Sequence, residues 1–115
     1  MNEAYTEAIE RLIRVPGVRG ALLIDAQAGV PVVGEMREDT ESATLAALSA
    51  TLFRRAQRSV DSAGSGTLRT LQLEAESGHL LMVESGDFVV AVITGTDAQL
   101  GRVRLELRRA AGGLA

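Results

Sequence analysis

The chain has 115 residues, 46% of them hydrophobic and 23% charged, with a formal net charge of −3 and no cysteine. This length and composition predict one domain over residues 1–115 with a modest core. The acidic balance argues against nucleic-acid binding, and the lack of cysteine excludes disulfides, thiolate catalysis and cysteine-ligated metals. The N-terminus has no apolar run like that of a signal peptide, and no run has the length of a membrane span, so we expect a cytoplasmic protein without direct membrane contact.

The first part of the chain predicts a helix followed by a hairpin. Apolar residues at helical spacing predict a helix over residues 2–15, which Pro16 helps to end. Residues 18–25 predict a strand, and because its second half, ALLI, is apolar throughout, we expect it to be covered on both faces. A second strand is predicted over residues 30–35. Pro31 cannot donate to a ladder, so this strand is expected at an edge of the sheet, with the proline facing outward or at a bulge.

A long helix is the centre of the prediction. It runs from Asp39, a candidate N-cap, to about Asp61, and at 1.5 Å per residue it would be roughly 34 Å long. Its main apolar stripe predicts the face that packs on the core: Leu45, Leu48, Leu52, Ala56 and Val60, with Phe53 beside them. Small residues leave the surface beyond that stripe low enough for another helix to approach closely: Ala43, Ala46, Ala47, Ser49 and Ala50.

Three strands and a last helix follow. Residues 67–76 alternate between apolar and polar side chains, which predicts a strand with one solvated face. Residues 79–85 and 87–94 predict two more strands, and the second is placed centrally because FVVAVIT is apolar throughout. Residues 96–99 match a capping box that opens a last helix, and Gly112-Gly113 is expected to end it. Mainly hairpin connections then give a largely antiparallel sheet with helices on both faces, an α+β domain.

In this order the chain resembles the roadblock family, which groups dynein light chains with bacterial regulators of small GTPases. The resemblance covers essentially the whole chain. It rests on the hairpin GVRGALLIDAQAGVPVVGE, on the alanine-rich helix after it and on the hairpin GHLLMVESGDFVVAVIT. It implies a five-stranded sheet of strand order 2-1-5-4-3, with the long helix on one face and the N- and C-terminal helices on the other.

The resemblance also implies a function. Family members form dimers by pairing their third strands edge to edge and their long helices side by side and antiparallel, and such dimers bind small Ras-like GTPases as activators or scaffolds. The third strand of this chain would otherwise be a fairly long edge without proline, and such edges tend to pair.

Charge at the two ends of the long helix agrees with an antiparallel mate. Asp39 and Glu41 make its start acidic, and three arginines make its end basic, so a two-fold copy brings unlike ends together. The alternative is that these charges only complement the helix dipole and solvate an outer face.

No residue pattern points to chemistry in this chain. His79 is the only histidine and has no companion pattern for catalysis or metal binding. The GSG at 64–66 lacks the lysine and the strand–loop–helix context of a phosphate-binding loop. The acidic residues near the start of the long helix lack calcium-loop spacing. We therefore expect no catalytic residue, no metal and no cofactor, and a protein that is not an enzyme.

An arginine finger is the sharpest chemical alternative. Arg54, Arg55 and Arg58 are candidates by position, and such a finger is worth about 10³–10⁵ in the rate of GTP hydrolysis. What is known of the resembling bacterial regulators implies instead that they act by reshaping the GTPase.

The sequence is thus interpreted as a homodimeric, non-enzymatic regulator or scaffold for a small Ras-like GTPase. The alternative is a small-ligand sensor of the longin or profilin type, which would need a pocket with converging polar groups. The residues expected at the dimer or partner interface are Leu45, Ala46, Leu48, Ser49, Ala50, Leu52 and Arg55 on the long helix and Thr70, Gln72 and Glu74 on the third strand. Sequence alone leaves open which of them face the sheet, the second copy or the GTPase.

Overall fold

The computed structural model describes residues 3–37 and 41–114 of the chain. Its elements in chain order are α1 (Glu3–Ile13), β1 (Val18–Asp25), β2 (Val30–Met36), α2 (Ser42–Ser62), β3 (Thr70–Ala75), β4 (Gly78–Ser85), β5 (Phe88–Thr94) and α3 (Leu100–Leu114). The strands form one antiparallel sheet in the order β2-β1-β5-β4-β3, which confirms the predicted topology. It also confirms the central position of the apolar strand β5.

The sheet has a separate hydrophobic core on each face. Leu12 of α1 and Leu107 of α3 pack with Leu23 and Leu81 on one face. Phe53 of α2 packs on the other face, in a smaller cluster that includes Leu22, Ile24, Met82 and Val89. The inner strand β1 contributes to both clusters because its successive side chains point to opposite faces. The expected burial of ALLI on both sides is therefore confirmed.

The edge strand β2 accommodates its proline at an irregularity. Leu23 of β1 lies opposite Val33, whereas Ile24 lies opposite Pro31, so the register of the ladder shifts between these two pairs. The missing amide of Pro31 thus falls beside a bulge on an edge strand, as the sequence predicts.

The long helix presents a different face to the sheet from the one predicted. Its buried residues are Ala46, Ser49, Ala50 and Phe53, whereas Leu48 is 65% exposed and Leu52 36% exposed. The reason is close approach: a Cβ added at Gly29, which has a φ of +67°, would lie 3.5 Å from Cα of Ala47 and 3.7 Å from Cβ of Ala50. Small side chains fit in that space and leucines do not.

The start of α2 also differs from the prediction. The helix begins at Ser42, and Glu41 occupies the N-cap position without a capping hydrogen bond from its side chain. The predicted cap, Asp39, lies outside the described residues.

The strand β3 is shorter than predicted and is solvated on both faces over much of its length. It spans Thr70–Ala75, and from Gln72 onward every residue is exposed, including Leu73 and Ala75 on the side predicted to be buried. The prediction of one solvated face was wrong because α2 packs over β1 and β2 and leaves this end of the sheet uncovered.

Both ends of α3 lie further along the chain than predicted. The helix begins at Leu100, because residues 96–98 form a turn that packs against Gly17, where an added Cβ would lie 2.6 Å from Cα of Ala98. The helix then continues through Gly112-Gly113 to Leu114. Neither glycine has the positive φ with which a glycine ends a helix. The buried face of the helix consists of Val103, Leu107, Ala110 and Ala111.

None of the described helices combines the length and the apolar composition that crossing a membrane requires.

Candidate protein-interaction surface

Among the described residues β3 is an edge strand of the sheet, and its backbone groups point outward at three positions. Thr70 of β3 lies opposite Val83 of β4. The residue before Thr70, Arg69, accepts a 3.0 Å hydrogen bond at its carbonyl oxygen from the N–H of Glu84. Hydrogen-bonded and non-hydrogen-bonded pairs alternate along an antiparallel ladder. The backbone groups of Thr70, Gln72 and Glu74 therefore point away from the sheet.

An apolar groove separates this edge from α2. Leu45 of α2 lines a cleft of about 420 Å³ together with Leu73 of β3, Leu80 of β4 and Ile93 of β5. We call this cleft the α2–β3 groove. It is open to solvent on the side of β3, where Leu73 remains 38% exposed.

The two flanks of α2 have different surroundings. On one flank Arg54 donates a 2.7 Å hydrogen bond to the carbonyl oxygen of Ala26, and Ala47 faces Gly29, so this flank lies against the β1–β2 turn. Leu45 is on the opposite flank, at the groove, and Leu52 follows two helical turns later on the same side.

Exposure along the groove flank rises with distance from the sheet. Leu45 is half-buried, Leu52 is 36% exposed and Leu48 is 65% exposed. Arg55 is exposed and lies one further turn along the face of Leu48 and Leu52. The helix thus has a lower row, Leu45 and Leu52, beside the groove, and an upper row, Leu48 and Arg55, that points further into solvent.

The structure divides the ten predicted interface residues into two groups. Ala46, Ser49 and Ala50 are 0%, 2% and 1% exposed against their own sheet and offer no surface to a partner, which corrects their assignment. The remaining seven are at least partly accessible, on α2 or on the edge strand β3: Leu45, Leu48, Leu52, Arg55, Thr70, Gln72 and Glu74.

Sequence reasoning missed Leu73 and Leu80 as part of this surface. The alternation of residues 67–76 did place Leu73 on the apolar side of its strand. A leucine on an edge strand indicates an interaction surface when no helix covers that strand. Recognising this requires knowing that α2 lies over β1 and β2, at the other end of the sheet.

The other candidate groups are dispersed. Arg54 is occupied by Ala26 and Thr51, on the flank turned away from the groove. His79 lies opposite Glu74 on one side and Thr94 on the other. Within the described part of the chain, no three histidine, cysteine, aspartate or glutamate side chains are grouped closely enough to hold a metal ion.

The small-ligand alternative has one polar cleft to consider. It has a volume of about 650 Å³ at one end of the sheet, and its charged lining residues are Arg19, Arg37, Glu76 and Asp97. Arg37 is engaged in the fold, because its guanidinium donates a 2.7 Å hydrogen bond to the carbonyl oxygen of Ile13. The cleft is lined by both signs of charge and is not selective for either.

Comparison with known proteins gives consistent matches over nearly the whole chain. The gliding protein MglB from Thermus thermophilus is 26% identical and superposes with a TM-score of 0.89 over 98% of this chain and 87% of that one. A further structure, described as MglB with a tetrameric arrangement, is 27% identical with a TM-score of 0.90, over 98% of this chain and 86% of that one. A Roadblock/LC7 domain from Streptomyces avermitilis, 18% identical with a TM-score of 0.82 over 97% of this chain and 92% of that one, shares the fold.

Sequence relatives also match most of the chain. Two uncharacterized proteins of Methanocaldococcus jannaschii are each 27% identical over 100 residues, which is 87% of this chain and 87% of each relative. The family model of the Roadblock/LC7 domain matches residues 5–94, well over half of the chain. The chain therefore belongs to the Roadblock/LC7 domain family.

Proposed function

We infer that the chain is a homodimeric regulator or scaffold that binds a small Ras-like GTPase through its α2 helices. The observation that carries this proposal is that the free edge of β3 and the solvent-open α2–β3 groove lie side by side on the same part of the surface. The family resemblance supplies the class of partner.

A second copy of the chain satisfies both features at once. An exposed edge strand is a template for pairing with another chain. When two β3 strands pair about a two-fold axis, the α2 helices approach from opposite sides of that axis on the same face of the joined sheet. The lower row of each helix, Leu45 and Leu52, then packs over the groove region that contains Leu73.

The upper row of α2 is the proposed site for the GTPase. Leu48 and Arg55 point away from the sheet, so they stay accessible after the lower row is covered by the second copy. Arginine is one of the residue types enriched among the anchors of protein interfaces, and symmetry would present Arg55 with the exposed Leu48 twice in the dimer.

At this site the chain offers side chains that can contact a GTPase, rather than a group that would take part in GTP hydrolysis. Arg54 is held by the β1–β2 turn on the far flank, so Arg55 is the α2 arginine best placed beside Leu48. A regulator that reshapes the GTPase requires surface complementarity and does not require an arginine finger. Arg55→Ala distinguishes the two modes, because loss of a finger lowers hydrolysis about 10³-fold or more, whereas loss of a contact weakens binding mainly.

The test begins with the oligomeric state and then adds the GTPase. Light scattering of the wild-type chain at micromolar concentration is expected to give the mass of a dimer. Small GTPases encoded near the chain are then mixed with it, loaded with GDP or with a non-hydrolysable GTP analogue, and binding and hydrolysis are measured. Preference for the GTP form with faster hydrolysis identifies an activator, and binding without faster hydrolysis identifies a scaffold. A strict monomer, or a dimer that binds no such GTPase in either state, contradicts the proposal.

A further inference from the structure

We propose that the two β3 strands pair in a register centred on Gln72, and that Arg108 of each copy forms an ion pair with Glu74 of the other. These two pairs make the chain select a second copy of itself. The inference rests on the proposed homodimer and adds the residues that determine its register and its choice of partner.

The register follows from the backbone groups that are available. Thr70, Gln72 and Glu74 point their N–H and C=O groups outward. About a two-fold axis, if one residue of the first strand lies opposite a second residue of the other strand, the reverse pairing also occurs. Placing the axis at Gln72 sets Gln72 opposite Gln72 of the second copy and Thr70 opposite Glu74 of the second copy. All three outward residues of both strands are then used. A shift by two residues leaves Thr70 or Glu74 facing a residue outside the strand.

The helix α3 packs over β4 and β5 on the face of the sheet to which these three side chains point, and one of its arginines reaches β3. Arg104 donates a 3.0 Å hydrogen bond to Oε1 of Gln72. One helical turn later, Arg108 lines a cleft of about 660 Å³ together with Thr70 and Val83. On the side of α3 that faces β3, Arg104 therefore contacts Gln72, and Arg108 shares a cleft with Thr70.

This arrangement brings Arg108 to an acidic residue of the second copy. In the register centred on Gln72, Glu74 of the second copy lies directly opposite Thr70, which lines the same cleft as Arg108. Residues directly opposite on paired strands have Cβ atoms about 5 Å apart, within the reach of an arginine side chain. Symmetry produces the same pair twice, so each dimer contains two.

The pairs favour this register over its neighbours. Sliding by two residues moves Glu74 away from Arg108 and costs both ion pairs together with part of the backbone ladder. A related chain without the glutamate or the arginine would lose the attraction, and one with the charges exchanged at a single position would be repelled. Both side chains are exposed in the chain alone, so their charges are hydrated until the copies meet.

Charge reversal tests the pairs directly. Glu74→Arg alone, or Arg108→Glu alone, places two like-charge contacts in the homodimer. Each contact is expected to cost under ~1 kcal/mol of association free energy, so the two together should raise the dissociation constant of the dimer about tenfold at low salt. Mixing the two single variants restores both contacts with opposite charges, so a heterodimer is expected with an affinity near that of the wild type. Arg102→Glu, an exposed arginine on the same helix, is the matched control and should leave the affinity unchanged.

Cysteine cross-linking tests the register, because the natural chain contains no cysteine. In the proposed register the two Cα atoms at position 72 are about 5.5 Å apart, within disulfide range. The two at position 73 are diagonal neighbours at about 7–8 Å, too far for an unstrained bridge. Gln72→Cys is expected to form a covalent dimer on mild oxidation, and Leu73→Cys much less of it.

The outcomes separate this inference from the proposed function. A wild-type monomer contradicts the homodimer itself. A wild-type dimer whose charge variants do not form the mixed dimer preferentially contradicts the ion pairs. A dimer that cross-links through position 73 and not through position 72 contradicts the register. In the last two cases the proposed dimer remains.

Discussion

The guanidinium of Arg54 donates a 2.7 Å hydrogen bond to the carbonyl oxygen of Ala26, which fastens α2 to the β1–β2 turn. The same turn contains Gly29, packed against Ala47 and Ala50 of the helix. This side of α2 is thus bound to its own domain, and the opposite side, with Leu45 and Leu52, is the one available to a second copy.

Replacing this arginine should affect stability and leave the partner surface intact. Arg54→Ala removes a charged donor from a partly solvated carbonyl, so the free energy of unfolding should fall by about 1 kcal/mol. Urea denaturation measures the change. Arg58→Ala, on an exposed arginine one turn later, is the control and should shift stability far less. If Arg54→Ala abolished GTPase activation while stability stayed at the wild-type value, Arg54 would be acting as a finger.

The alanines of α2 should resist enlargement only where they face the sheet. Ala50→Leu forces a larger side chain into the space beside Gly29 and should destabilise the domain by about 2 kcal/mol. Ala43→Leu, at an exposed position on the same helix, should be tolerated. Thermal unfolding of the two variants at the same protein concentration provides the comparison. Equal tolerance at both positions would contradict the close packing of α2 on the β1–β2 turn.

The sequence predicts that α2 is a long helix and leaves its orientation undetermined. The helix has two apolar surfaces at helical spacing, one of leucines and one of small residues. Hydrophobicity ranks the leucines as the core side. The close approach of the helix to Gly29 decides otherwise, since the small residues Ala46, Ser49 and Ala50 lie beneath the helix together with Phe53. That approach depends on a turn more than ten residues earlier, which local periodicity does not report.

The strand order was implied by the resemblance to the roadblock family, and two strands have markers of their own that agree with it. Pro31 assigns β2 to an edge, and the continuous apolar run of β5 assigns it to the centre. The candidate surface was only partly predictable. Gln72 and Glu74 follow from the edge position of β3, whereas Leu73 becomes part of the surface only because α2 covers the other half of the sheet.

Glycine substitutions should test the corrected end of α3. The helix continues through Gly112, which has no positive φ, and a Cβ added there would meet nothing within 4 Å. Gly112→Ala is therefore expected to stabilise the domain by up to about 1 kcal/mol through helix propensity. Gly78→Ala is the contrasting variant, because its Cβ would collide with the carbonyl oxygen of Thr94. Destabilisation by Gly112→Ala would instead favour the predicted helix end.

Two buried hydroxyl groups should respond in opposite ways to removal. Oγ of Ser85 donates a 2.7 Å hydrogen bond to the carbonyl oxygen of Ala111, so Ser85→Ala should cost about 1.5 kcal/mol. Oγ1 of Thr94 is buried and has no hydrogen-bond partner among the described residues. Thr94→Val keeps the branched shape that a strand favours, and should be neutral or stabilise by up to about 1 kcal/mol. Chemical denaturation of both variants checks the sign, and a large loss for Thr94→Val would indicate a partner that the hydroxyl requires.

The two rows of α2 should separate self-association from GTPase binding. Leu52→Asp places a charge in the lower row, where the second copy is proposed to pack, and should convert the dimer into a monomer in light scattering. Leu48→Arg changes the upper row, so the dimer should persist while affinity for the GTPase falls at least tenfold, as for a central interface anchor. Leu105→Arg is the matched control, since Leu105 is 48% exposed on α3 at the opposite face of the sheet. Loss of the dimer in Leu48→Arg, or retention of GTPase binding in both α2 variants, would mean that the partner meets another face.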